Sequence, residues 1–213
     1  MSFTRAVIFS GGNLFPESLQ EIHETDYVIG ADKGALFLVS HGVRPDLAVG
    51  DFDSVSQEER QQIEEKCGRM ISCDPIHKDL TDTELALELA FEAHANEILM
   101  LGVTGTRLDH TLANIQMLIR AVQHHSVCTL KDPNNLITLT ASTLTIYEQG
   151  YTYVSLLPLT AEVTGINLEG FMYPLENATL KMGQSLGVSN RLAGLEGNIS
   201  IQSGLLLVIQ SKD

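Results

Sequence analysis

A chain of 213 residues, 44% of them hydrophobic, is long enough for one large domain or two small ones with real cores. Its formal net charge of −14 argues against a nucleic-acid partner, while a nucleotide stays compatible where a metal ion and a few local cations offset the carboxylates. No run approaches the ~18 apolar residues of a membrane span, Met1-Ser2-Phe3-Thr4-Arg5 leads into a strand-like run unlike a cleaved signal peptide, and Cys67, Cys73 and Cys128, without paired CxxC spacing, point to reduced thiols in a cytoplasmic protein.

Residues 5–9, RAVIF, read as a short buried strand that ends in Ser10-Gly11-Gly12-Asn13. Two glycines at that point let backbone approach a ligand, although the loop has neither GxGxxG nor a P-loop lysine, and a plain turn fits it equally. A second strand, Asp26 to Gly30, delivers Ala31-Asp32-Lys33-Gly34-Ala35 and a short helix to His41. The third, Leu47 to Val49, delivers Gly50-Asp51-Phe52-Asp53-Ser54.

In an extended chain Asp51 and Asp53 point the same way. Their repulsion favours a cation between them, and a hard ion such as Mg²⁺, together with a nucleotide's phosphates, suits two carboxylates. A solvated loop whose acids cap the next helix fits the same residues. That helix spans about residues 57–66, with Ser56 and Glu59 as a capping box.

A fourth strand, Arg69 to Cys73, runs through Asp74-Pro75 into Lys78-Asp79-Leu80-Thr81-Asp82. Thr81 and Glu84 cap a helix over 82–95 whose apolar stripe is Leu85, Leu89 and Ala93. Asp82 suits the positive end of that helix, so capping alone accounts for both residues. The fifth strand, Glu97 to Val103, ends in Thr104-Gly105-Thr106-Arg107-Leu108-Asp109-His110. The helix that follows shows Leu112, Ile115, Ile119 and Val122 on one face, with Asp109 fitting its N-cap and His110 its first turn. Arg107 beside an acid-rich cluster is suited to gripping phosphate oxygens. A sixth strand covers Val127 to Lys131.

Strands alternating with helices predict a mainly parallel, doubly wound sheet, and polar clusters after strands one to five place an active site at one sheet edge. Near residue 137 the character changes. Ile137–Thr140, Leu144–Tyr147, Tyr151–Val154, Thr179–Lys181, Gly197–Gln202 and Leu205–Ile209 have close-spaced turns and no helical period. They predict an all-β sandwich or barrel, giving domains 1–134 and 135–213. Within it, Gly187-Val188-Ser189-Asn190 reads as a polar turn.

Taken together, Ala31-Asp32 with Gly34-Ala35, Gly50-Asp51-Phe52-Asp53-Ser54, Lys78-Asp79 with Thr81-Asp82, Arg107 with Asp109-His110 and Asn114, and Ser189-Asn190 resemble the thiamin pyrophosphokinase family over nearly the whole chain. The resemblance implies a catalytic, ATP-binding α/β domain and a thiamin-binding and dimerising β domain. It further implies a homodimer with the thiamin pocket between subunits and transfer of diphosphate from ATP to the thiamin hydroxyl, releasing AMP. Asp51, Asp53 and Asp82 would hold Mg²⁺. Asp32, Lys78, Asp79, Thr81, Thr104, Gly105, Arg107, Asp109 and His110 would serve the nucleotide and its phosphates, with Ser10, Gly11 and Gly12 nearby, and Ser189 and Asn190 would approach thiamin. Lys33, Thr106 and Arg191 depart from the family pattern. Three other readings stand beside this one. Asp51-Phe52-Asp53-Ser54-Val55 also fits the DxDx[TV] signature of aspartate-nucleophile phosphatases, although here it follows the third strand. The others are a pterin pyrophosphokinase and a non-catalytic ATP-sensing module.

Overall fold

The computed structural model describes residues 4–72 and 80–213, so Cys73, Lys78 and Asp79 of the expected fourth strand and phosphate site lie outside the described residues. The chain forms two compact units, Met1–Asp132 and Pro133–Asp213.

In the first unit the strands are β1 (Arg5–Phe9), β2 (Tyr27–Ala31), β3 (Leu47–Gly50), β4 (Arg69–Ser72), β5 (Glu97–Leu101) and β6 (Val127–Lys131). They lie in the order β4-β3-β2-β1-β5-β6, and every neighbouring pair is parallel. Parallel strands need cover on both faces, and Ala6, Val7, Ile8 and Phe9 of β1 are fully buried. Val7 and Phe9 share a cluster with Val28, Leu99, Leu101 and Leu38 of α1 (Lys33–Ser40). Ala48 packs with Ala35 and Val39 of α1 and Ile63 of α2 (Gln57–Lys66), so those two helices share a face. The intervening strand residues are covered by α3 (Asp82–Glu92), which touches β1, β2 and β3 and packs on α4 (Leu108–Gln123). Each fully buried Ile, Leu or Phe contributes about 1.5–3 kcal/mol.

Both N-caps were legible locally, and the full box forms at Ser56, whose N donates to Glu59 Oε2 at 2.7 Å, while Thr81 shows the cap bond alone. Ser56 Oγ accepts from Glu59 N at 3.2 Å, and Thr81 Oγ1 accepts from Glu84 N at 3.2 Å. The helix faces were less so. On α3, which ends at Glu92, the buried residues are Leu85, Ala86, Leu87, Ala90 and Phe91; Leu89 and Ala93 are only half-buried. The rotation follows from Glu84 and Glu88, which both pair with Arg120 of α4, at 2.5 and 2.9 Å. On α4 the buried set is Asn114, Met117, Leu118 and Ala121, while Leu112 is 50% exposed. Asn114 is buried because its Nδ2 donates to Val103 O at 2.6 Å, which apolar periodicity does not register. The N-cap of α4 is Arg107, and Asp109 stands in its first turn.

The second unit is antiparallel: β7 (Asn135–Thr140), β8 (Thr143–Tyr147), β9 (Tyr153–Pro158), β10 (Glu162–Glu169), β11 (Ala178–Lys181), β12 (Glu196–Ser200) and β13 (Leu206–Ser211). β13 pairs with β7 and β9, and a separate sheet runs β11-β10-β12-β8. One core cluster draws Val154, Leu156, Leu206 and Val208 from the first group and Ile146, Val163, Ile166, Leu180 and Ile199 from the second. Sequence alternation placed the third of these strands too early, at Tyr151–Val154, and missed β10, whose pairing with β11 shifts register between Val163 and Ile166. Among the described residues no helix is long and apolar enough to cross a membrane.

Candidate active site

The order of the parallel strands reverses between β1 and β5, and open parallel sheets bind ligands outside the carboxyl ends of their strands at such a switch point. The loop after β1 is fastened along the loop after β5: Ser10 N donates to Leu101 O at 2.9 Å, Gly12 N to Gly102 O at 2.7 Å and Asn13 N to Thr104 O at 3.0 Å. Ser10 is buried, its hydroxyl 2.8 Å from Thr83 Oγ1 in the first turn of α3. Thr104 Oγ1 donates to Asp132 at 2.9 Å.

These loops frame a cavity of about 1030 Å³. Ser10, Gly11 and Gly12 line it after β1, and Asp32 and Lys33 after β2. Asp51, Asp53 and Ser54 line it after β3; Thr81, Asp82 and Thr83 come from the start of α3. Thr104, Gly105 and Arg107 follow β5, with His110 and Asn114 on α4. Three helices therefore present their N-termini here, and N–H groups at a helix start favour anions.

The two acids after β3 lie together for a reason other than strand alternation. Phe52 has φ +57° and is buried against the cluster that holds Ile63, which pins a tight turn; Asp51 Oδ1 accepts from Asp53 N at 3.1 Å. Gly50, at φ +148°, brings the third acid close: a Cβ there would stand 3.3 Å from the Asp82 carboxyl and 3.4 Å from Asp32 N. Asp51, Asp53, Asp82 and Asp32, scattered along the sequence, thus converge on one rim. The Asp51 charge, then burial, then Asp32 push the Asp53 carboxyl above the ordinary aspartate range. The Asp32 Oδ1 atom is buried and has no hydrogen-bond partner.

Arg107 lines the cavity and is held from outside by Asp109, which does not line it: Nη2 is 2.6 Å from Oδ2 and Nε 3.3 Å from Oδ1. That pairing lowers the Asp109 carboxyl and raises the Arg107 guanidinium. In the second unit Ser189 has φ +62°, and its N–H donates to Ser155 Oγ at 3.0 Å. Asn190 is buried and spends its amide on its own backbone, donating to Tyr173 O at 2.7 Å and accepting from Tyr173 N and Arg191 N. Residues that sequence reasoning missed include Thr83 and Thr111. Nothing local to Thr83 signals its contact with Ser10, 73 residues earlier.

The chain resembles known proteins over most of its length. The family model of the thiamin pyrophosphokinase catalytic domain matches residues 19–130, and that of its vitamin B1 binding domain matches residues 142–206. The chain is 36% identical to the thiamine pyrophosphokinase of Bacillus subtilis over 97% of its own length and 98% of the relative's. The crystal structure of thiamine pyrophosphokinase from that organism superposes with a TM-score of 0.90 at 34% identity, covering 98% of this chain and 99% of that one. Yeast thiamin pyrophosphokinase, at 16% identity, shares the fold with a TM-score of 0.78 over 100% of this chain and 87% of its own.

Proposed function

The chain belongs to the thiamin pyrophosphokinase family of diphosphotransferases, and from that premise we propose how its residues move diphosphate from ATP to the thiamin hydroxyl. The observation that carries the reading is the meeting of acids, Arg107 and three helix N-termini on one cavity. The reaction asks the protein to hold two reactants in line and to neutralise phosphate charge, with no covalent intermediate.

Asp51, Asp53 and Asp82 would hold Mg²⁺. The donors are all carboxylate oxygens, Asp51 and Asp32 already oppose the charge on Asp53, and among the described residues Asp32 Oδ1 lacks a partner, so the set fits a hard divalent cation. Among the described residues no three such side chains close a metal site by themselves. Mg²⁺ typically takes one or two carboxylates and fills the rest of its shell with substrate phosphates and water. When bound, the ion supplies charge neutralisation at the transferring phosphoryl oxygens. Arg107, oriented by Asp109, grips phosphate oxygens, and the N–H groups opening α4, which carries no side-chain cap, serve the same anion. The thiamin hydroxyl attacks the β-phosphorus and AMP leaves.

The first unit is proposed as the catalytic, ATP-binding domain and the second as a β sandwich that takes thiamin and dimerises. Met172, Tyr173, Leu186, Val188 and Leu195 are large apolar side chains exposed on the second unit, which supports a second copy there. Ser189 would meet thiamin, with Asn190 fixing the turn that presents it. Buried free thiols at Cys67 and Cys128 support a cytoplasmic setting.

The test is direct. Purified protein with MgATP and thiamin should yield AMP and thiamin diphosphate in equal amounts, and omission of any component should stop both. Release of inorganic phosphate without AMP, or ATP binding without turnover, would refute the proposal.

A further inference from the structure

Asp32 occupies the N-cap of α1, where an aspartate ordinarily accepts a hydrogen bond from the first turn. It makes no such bond. Its backbone, at φ +48° and ψ −119°, lies in a sparsely populated region. Backbone bonds hold it there: Asp32 N donates to Val49 O at 2.9 Å, and Asp32 O accepts from Ala35 N at 2.9 Å and from Leu36 N at 3.5 Å. The residue therefore forgoes a cap and accepts strain, and both costs need a compensating use for the carboxylate. Ser54 reveals the use: its hydroxyl donates to Asp32 Oδ2, reaching back from the turn that carries Asp51 and Asp53. With Oδ2 engaged, Oδ1 is left buried and unpartnered on a residue that lines the cavity.

We propose that Ser54 is a positioning residue: its hydroxyl fixes the Asp32 carboxylate through Oδ2 and keeps Oδ1 clear of protein partners, as an acceptor reserved for the cation site. The inference rests on the proposed divalent-cation site and adds to it a residue that acts through the Asp32 carboxylate. Without the Ser54 hydroxyl, the Asp32 carboxylate is free to change rotamer while the backbone bonds to Val49 and Ala35 stay in place. The acceptor is then lost to the cation site with the fold intact.

That contrast separates positioning from a plain structural role. Wild type, Ser54→Ala and Ser54→Thr are titrated with Mn²⁺ in the presence of inorganic tripolyphosphate, following free Mn²⁺ by electron paramagnetic resonance, and each is melted without metal. Loss of an outer-shell partner typically weakens metal binding 10–100-fold. Ser54→Ala should therefore weaken Mn²⁺ at least about tenfold with an unchanged Tm, and Ser54→Thr, which keeps the hydroxyl, should restore wild-type affinity. Unchanged affinity in Ser54→Ala, with or without a lower Tm, overturns the inference and leaves the cation site standing. A wild-type protein that binds no Mn²⁺ overturns the cation site and this inference with it.

Discussion

Gly12 and Gly11 are adjacent, both line the cavity, and neither has a positive φ, yet the structure assigns them opposite tolerance to a methyl group. A Cβ at Gly12 would stand 2.4 Å from Gly102 O and 2.6 Å from Thr104 O, both backbone atoms; at Gly11 the nearest atom is Lys33 Cβ, at 3.5 Å. Gly12→Ala must push the loop after β1 about 1 Å off the loop after β5 to reach ordinary contact. The displacement breaks or stretches the bonds from Gly12 N to Gly102 O and from Asn13 N to Thr104 O. At about 0.5–1.5 kcal/mol net for each bond, the loss is about 1–3 kcal/mol. For a domain of this size that lowers Tm by roughly 2–4 °C per kcal/mol. A 1 Å misplacement beside the reacting groups costs activity out of proportion to stability, on the order of 100-fold in kcat/KM. Gly11→Ala should melt within about 0.5 kcal/mol of wild type. Thermal melts and steady-state assays of AMP formation on the two variants check this. A Gly12→Ala protein with wild-type Tm and kcat/KM would refute the claim that this contact fixes the crevice.

Three further outcomes follow from the same geometry. Asp51→Asn or Asp53→Asn should nearly abolish AMP formation without lowering Tm, since each removes a repulsive charge; near-normal turnover in both would remove the metal site. Affinity for Mg²⁺ should fall on acidification, starting above the ordinary aspartate range because Asp51 raises Asp53. The sign for folding is opposite: the folded state holds the Asp53 proton more firmly than the unfolded chain, so this group stabilises the metal-free protein as pH drops through its raised pKa and the effect is lost as pH rises. Calorimetric Mg²⁺ titrations with a nucleotide analogue at a series of pH values read the binding effect. Far from the site, Arg5 Nη1 lies 2.6 Å from Asp26 Oδ2, whose side chain is 1% exposed. Arg5→Met should cost about 3–5 kcal/mol by stranding that carboxylate, measured by urea denaturation, and Arg5→Met with Asp26→Asn should recover much of it.

The loops were more legible than the helices around them. Gly50-Asp51-Phe52-Asp53-Ser54 and Thr81-Asp82 declare themselves because glycine, paired acids and a helix cap each have a local physical meaning, and all fall at strand ends where a parallel sheet gathers its ligands. The faces of α3 and α4 were misjudged because apolar periodicity counts leucines and misses what a buried amide does. Asn114 turns inward to reach Val103 O, and Leu112 is left outside. β10 was missed because its alternation slips by one residue at Gly165, inside the register shift between Val163 and Ile166. The relation of Asp51 to Asp53 was anticipated, but by the wrong local conformation: a pinned turn, with Phe52 buried beneath it, replaces the extended strand.

That turn bears on how nucleotide enters. Among the described residues, Asp32, Asp51, Asp53 and Asp82 give the cavity more formal negative charge than Arg107 and Lys33 offset, and the Arg107 guanidinium is already shared with Asp109. A bare polyphosphate would meet net repulsion here despite the helix N-termini, whose favourable contribution is typically 0.3–1 kcal/mol per charge at exposed positions. The acids that deter a free anion are those suited to a divalent cation, so on the proposed reading the cavity should favour phosphate that arrives with its metal. The same charge pattern accords with a composition that argues against nucleic acid yet leaves a nucleotide open. A long phosphate backbone cannot bring a neutralising ion to every contact, whereas a triphosphate needs only one or two, held where these loops converge.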